Sequence, residues 1–136
     1  VFTLEASGLP FACMTAVEFG VPFVFAKKRK TSNLSGEIVT AKVHSFTHNI
    51  DNVIQVSKEY IKETDKVLIV DDFLASGEAL RGLIDIVEKC NASVVGCLVQ
   101  IEKEYQNGGN TLRNQGYKVI ALASIKEMTS NTIQFN

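Results

Sequence analysis

The chain has 136 residues, room for one domain that would bury about two-thirds of the surface its unfolded form exposes. A hydrophobic share of 46%, a charged share of 21% and a formal charge of −1 are ordinary for a globular domain and exclude a broad basic field for nucleic acid or anionic lipid. No apolar run approaches the roughly 18 residues of a membrane-spanning helix, and no signal peptide is visible.

Val1 to Leu4 reads as a strand, and a buried strand opening at a raw terminus predicts a further segment ahead of Val1. Pro10 starts a helix that runs to Phe19 and stops at Gly20. Val21 to Ala26 is a second short strand. The basic run Lys27, Lys28, Arg29, Lys30 and the polar stretch "TSNLSGE" then lead into the alternation Val39, Thr40, Ala41, Lys42, Val43, the period of a half-exposed strand in a flap or ribbon outside the central sheet. Ser57 to Thr64 has room for one or two helical turns. Val67 to Val70 reads as a strand covered on both faces, and Leu80, Leu83, Ile84 and Val87 form one stripe of a helix ending near Asn91. Val94 to Ile101 is a strand, Thr111 to Gln115 a short helix closed by Gly116, and Val119 to Ala123 a last strand. This order predicts a single α/β domain, residues 1–136, with a mostly parallel sheet. Cys13, Cys90 and Cys97 are odd in number and lack CxxC spacing, as expected of reduced core cysteines in a cytoplasmic protein.

Ligands of open α/β sheets collect at the carboxyl ends of strands, where this chain places "EASG", "DDFLASGEAL" and "EKEYQNGG". In the middle loop Ala75, Ser76 and Gly77 are small enough for backbone amides to approach a ligand, and a helix starts directly after them. Free donors and a positive dipole end there make a phosphate cradle, although GxxxxGK[ST] and GxGxxG are both absent. Asp71 and Asp72 beside such a cradle would repel phosphate alone. Carboxylates accept from a vicinal diol and tolerate Mg²⁺, so a phosphorylated sugar carrying Mg²⁺ would use the whole stretch. Plain alternatives are an ordinary β–α turn, a capping aspartate and a solvated basic run.

The stretch "VLIVDDFLASGEA" resembles the PRPP-binding signature of the type I phosphoribosyltransferases. With "VFTLEASG", "VPFVFAKKRK", "VHSFTH" and "IEKEYQNGG" in this order, nearly the whole chain is similar to the bacterial xanthine phosphoribosyltransferases. The resemblance implies a phosphoribosyltransferase-type fold, a mostly parallel central sheet flanked by helices with a flexible hood arm. It implies that the amides of Ala75, Ser76, Gly77, Glu78 and Ala79 bind the 5′-phosphate of PRPP, and that Asp71 and Asp72 take the ribose hydroxyls. Glu78 departs from the neutral residue more usual there, and its side chain is expected to point away, leaving only its N–H in the site. Ala6, Ser7 and Gly8 would bind pyrophosphate. Ser7 stands where many relatives carry Arg, so cations such as Lys28 would come from the arm. Lys103 would contact a 6-oxopurine. The implied reaction is transfer of 5-phosphoribosyl from PRPP to N9 of xanthine with Mg²⁺ as cofactor, giving XMP and pyrophosphate in purine salvage. No single residue acts as catalytic acid or base, no metal is held by protein side chains alone, and the partner is a second copy of the chain in a cytoplasmic homodimer, with neither nucleic acid nor membrane involved.

Rival readings are weaker. His44 and His48 are four apart, but Ser45 rather than Glu follows His44, which breaks HExxH. No GxSxG elbow supports a serine hydrolase, and a receiver domain would need an acceptor aspartate where the chain offers Glu5. The stronger alternative is a PRPP-sensing effector domain of a purine-responsive DNA-binding repressor without catalysis, which would carry a winged-helix segment ahead of Val1.

Overall fold

In the computed structural model, residues 1–28, 36–45 and 50–136 are described. Arg29, Lys30 and His48 therefore lie outside the described residues.

A six-stranded sheet forms the centre, and its core strands are apolar enough to be covered on both faces. In chain order its strands are β1 (Phe2–Leu4), β2 (Val24–Ala26), β5 (Lys66–Leu74), β6 (Ser93–Lys103), β7 (Val119–Met128) and β8 (Ile133–Phe135). Across the sheet the order is β2-β1-β5-β6-β7-β8, parallel except for the antiparallel pairing of β8 with β7. β8 was not anticipated: its three residues are all exposed and carry no burial pattern.

The helices are α1 (Leu9–Phe19), α2 (Glu78–Lys89) and α3 (Gly108–Asn114). Pro10 sits in the first turn of α1, and Gly20 ends it at φ 61°, a left-handed conformation that glycine adopts without a Cβ penalty. α2 buries Leu80, Leu83, Ile84, Ile86 and Val87. Leu83 and Ile86 are fully buried, so truncating either to Ala would cost about 2–5 kcal/mol. Cys90 and Cys97 are buried as expected, and burial pushes the Cys97 thiol up to about 12. Cys13 corrects the expectation of three core cysteines, because it lies on an exposed face of α1.

The arm is a two-stranded antiparallel ribbon, β3 (Ile38–Ser45) and β4 (Ile50–Ser57), separate from the central sheet. Its alternation sends Val39, Ala41 and Val43 inward with Ile54 and Val56, while Lys42 faces solvent. These residues pack on α2, where a Cβ on Gly82 would lie 2.4 Å from Val43. The stem of the ribbon is thus part of the core. After it, residues Lys58–Tyr60 form a single 3₁₀ turn, less helix than Ser57 to Thr64 could hold.

Candidate active site

Two element boundaries decide the site, and both differ from the sequence expectation. The acid pair does not end its strand: β5 continues through Asp71, Asp72 and Phe73 to Leu74, and its ladder with β6 continues through Phe73↔Ile101 and Leu74↔Glu102. α3 starts at Gly108, three residues before Thr111. There the glycines act as packing residues rather than breakers. A Cβ on Gly108 would lie 2.2 Å from the Ala75 carbonyl oxygen, and the Gly108 amide donates to that oxygen at 3.1 Å. The loop after β5 is thereby braced from behind by α3.

α3 is itself anchored by a buried carboxylate. Glu102 is 1% exposed and accepts from Arg113 at 2.8 and 2.5 Å, a two-pronged pair that satisfies both carboxylate oxygens. A Cβ on Gly109 would lie 1.9 Å from Glu102 Oε1, so only glycine leaves room for this pair.

The braced loop faces a cleft of about 440 Å³ lined by residues 75–80, with Lys28, His44, Asn52, Phe73 and Gln106. Gly77 holds φ 88° as the residue before α2, a conformation strained for any side chain. Among the described residues, none accepts a hydrogen bond from the main-chain amides of Ala75, Ser76, Gly77, Glu78 or Ala79. Four or more uncommitted amides at a helix start, in residues that line a cleft, could take an anion with the dipole behind it. Glu78 lines the same cleft, and its carboxylate pairs with Arg81 one turn on. Arg81 also donates to the Ser76 carbonyl at 3.3 Å, so the one acid in the cradle carries its own counter-ion. Arg81 was not singled out from sequence, because an i,i+3 pair within a helix looks like surface charge.

The loop Glu5 to Gly8 follows β1, with a cis peptide between Glu5 and Ala6. Ala6 and Ser7 are exposed, whereas Gly8 is buried against Thr3 and Asp71. The Lys28 amide donates to Glu5 Oε1 at 2.6 Å, which joins this loop to the root of the arm. Lys27 makes an isolated bridge to Gln55 and turns its strand into the ribbon. Of the described basic-run residues, Lys28 is the one that lines the cleft.

The two acids are presented unequally. Asp72 is half-buried, and Asp71 is 6% exposed, accepting from the Asp72 amide at 3.0 Å. Burial pushes the Asp71 carboxyl up to about 7, helped by its neighbour Asp72 and opposed by Lys28. Lys103 is not in the wall of the 440 Å³ cleft. Its ammonium lies 5.2 Å from the ring centroid of Phe73, which is in that wall. Phe73 and Gln106 were missed from sequence, since neither has a signal beyond lying next to a motif. A second cleft of about 550 Å³ has a mainly apolar wall that includes Phe2, Phe19, Val21 and Val67.

Among the described residues, no group of three or more His, Cys, Asp or Glu side chains could hold a metal ion. Asp71 and Asp72 are the side chains that would favour a cation arriving with ligands of its own, such as Mg²⁺ carried by a phosphate compound.

The chain is 44% identical over 136 residues to the xanthine phosphoribosyltransferase of Geobacillus thermodenitrificans, covering 100% of this chain and 70% of that protein. It is 43% identical over 135 residues to the xanthine phosphoribosyltransferase of Oceanobacillus iheyensis, covering 99% and 70%. Among solved structures, the adenine phosphoribosyltransferase of Thermoanaerobacter pseudethanolicus superposes with a TM-score of 0.80 at 26% identity, over 90% of this chain and 68% of that one. The Giardia lamblia enzyme complexed with 9-deazaadenine shares the fold, with a TM-score of 0.82 at 22% identity over 93% and 69%. A model of the phosphoribosyl transferase domain matches residues 1–134. With its parallel sheet, its braced amide cradle and this match along nearly its whole length, the chain belongs to the phosphoribosyl transferase domain family.

Proposed function

We propose that the protein transfers 5-phosphoribosyl from PRPP to N9 of xanthine, releasing pyrophosphate and forming XMP, with Mg²⁺ bound together with PRPP. The observation that carries this reading is the set of uncommitted amides at residues 75–79, backed by α2 and set beside two carboxylates. A dianionic monoester suits that set, because donors are fixed before the ligand arrives and need no reorganisation. Asp72 at the strand surface would accept from the ribose hydroxyls, and Asp71 would back it from within the sheet. Ala6, Ser7, Gly8 and Lys28 would face the pyrophosphate, with Lys28 supplying the positive charge that Ser7 does not.

Transfer from a ribosyl centre builds positive charge on the ring and negative charge on the leaving group. The carboxylates stabilise the first and the Lys28 ammonium the second, so no covalent intermediate on the protein is required. Mg²⁺ bound with PRPP would supply further positive charge toward the diphosphate, beside that of Lys28. Lys103 would meet the base, its ammonium donating to an exocyclic oxygen. That chemistry favours a 6-oxopurine over the 6-amino group of adenine. The relatives at 43–44% identity are named for xanthine, whereas the adenine enzymes resemble this chain at 26% identity or less in the structures compared.

Steady-state turnover of xanthine, guanine, hypoxanthine and adenine with Mg²⁺ and PRPP tests the assignment. Xanthine should be turned over fastest. Faster turnover of adenine would contradict the base, and PRPP binding without turnover of any base would point to an effector domain. The protein is also proposed to act as a cytoplasmic homodimer. In support, Met14 and Val17, three residues apart on one side of α1, are 66% and 69% exposed, an apolar spot that a second copy would cover. Sedimentation of the full chain at micromolar concentration should read twice the chain mass, and a monomer would contradict it.

A further inference from the structure

Thr3 lies in the middle of β1, 0% exposed, and its Oγ1 is a buried side-chain oxygen without a hydrogen-bond partner among the described residues. Buried hydroxyls are nearly always paired, because a lost water partner is not otherwise replaced. Val would fill the same volume in a parallel strand without that penalty, so packing does not account for Thr here. The position of the hydroxyl does. If Gly8 carried a Cβ, that atom would lie 2.6 Å from Thr3 Oγ1 and 2.7 Å from Asp71 Oδ1. The hydroxyl and the carboxylate therefore both lie against the point that a Gly8 side chain would occupy, from neighbouring strands. Asp71 Oδ1 meanwhile accepts the amide of its own neighbour, Asp72.

We infer that Thr3 is a positioning residue for substrate binding: its hydroxyl donates to the Asp71 carboxylate when the substrate draws those oxygens away from the Asp72 amide, and Gly8 keeps the path between them open. The inference rests on the proposed PRPP site. Thr3 contacts no substrate and acts through Asp71. Around Asp71 the charged groups are Asp72 on its own strand and Lys28 at the arm, so a neutral donor on β1 holds the ionised carboxylate without tying up Lys28, which faces the leaving group. The same contact joins the pyrophosphate loop to the ribose acids, because Gly8 belongs to one and abuts the other.

The test compares Thr3→Val, Thr3→Ser and Gly8→Ala in the full chain. It reads PRPP affinity by calorimetry with Mg²⁺, thermal midpoint, and KM for each substrate. Thr3→Val should keep or raise the midpoint, weaken PRPP about tenfold and raise KM for PRPP, with KM for the base unchanged. Thr3→Ser should bind within about twofold of the parent, since it restores the donor. Gly8→Ala should weaken PRPP at least as much as Thr3→Val, by wedging the two oxygens apart. Equal PRPP affinity in parent and Thr3→Val overturns the inference alone. A parent that binds no PRPP overturns the proposed function and this inference together.

Discussion

Asp71 is the residue whose chemistry is most constrained by where it sits. An ordinary aspartate ionises near 3.8, and burial moves this one to about 7. Because the folded value is raised, the unfolded chain releases its proton first as pH rises. The native state is therefore penalised progressively between those two values, with the penalty complete above pH 7. Asp71→Asn keeps an oxygen for the Asp72 amide and removes the charge. Its thermal midpoint at pH 8 should exceed the parent's by roughly 3–8 °C, for a gain of about 1–2 kcal/mol, and the difference should vanish at pH 4. Melting curves at the two pH values check this. A midpoint at pH 8 equal to the parent's would mean that the carboxylate is well solvated in the native protein. The stability given up by holding a buried acid is the kind of loss that binding sites carry, since a substrate with hydroxyls to donate recovers it.

At the scale of elements, the loop of residues 75–77 is held by two helices, one in front and one behind. α2 directs its free amides and dipole at the cleft, and α3 fixes the back of the loop through Gly108. α3 depends in turn on the Glu102–Arg113 pair. Arg113→Met strands a carboxylate that is 1% exposed, which should cost about 3 kcal/mol and weaken PRPP binding several-fold as the brace loosens. Glu102→Gln with Arg113→Met leaves no stranded charge and should recover more than half of the lost thermal midpoint. Melting curves and calorimetry on the two variants decide the matter; equal stability of the single and double variants would contradict it. The same region shows where sequence reading stops. Apolar runs and helical stripes made β1, β5, β6, α1 and α2 legible, and Gly20 was a reliable stop because nothing crowds it. Gly108 and Gly109 look identical on paper, yet they are selected by close neighbours from the loop after β5 and from β6 that no local pattern announces. The acid pair misled in a similar way. Aspartate is depleted within strands, so the pair reads as a strand end, but here the ladder to β6 carries β5 past it to Leu74. β8 left no trace because none of its side chains is buried.

Across the whole molecule, one rim of the sheet gathers the loops after β1 and β5, the end of β6 with Lys103, and the root of the ribbon. The acids and the cradle share one stretch, residues 71–79, whereas Lys28 and the loop of Gly8 lie more than forty residues earlier, so only the folded sheet brings them together. Their residue types were readable one by one; their unequal exposure was not, since it depends on how far β5 runs and on what Gly8 leaves open. The most direct measurement is a crystal structure of the full chain with Mg²⁺ and PRPP. The account expects the 5′-phosphate within hydrogen-bond distance of the amides of residues 75–79 and the ribose hydroxyls at Asp72. A PRPP molecule bound elsewhere, with those amides facing only solvent, would contradict it.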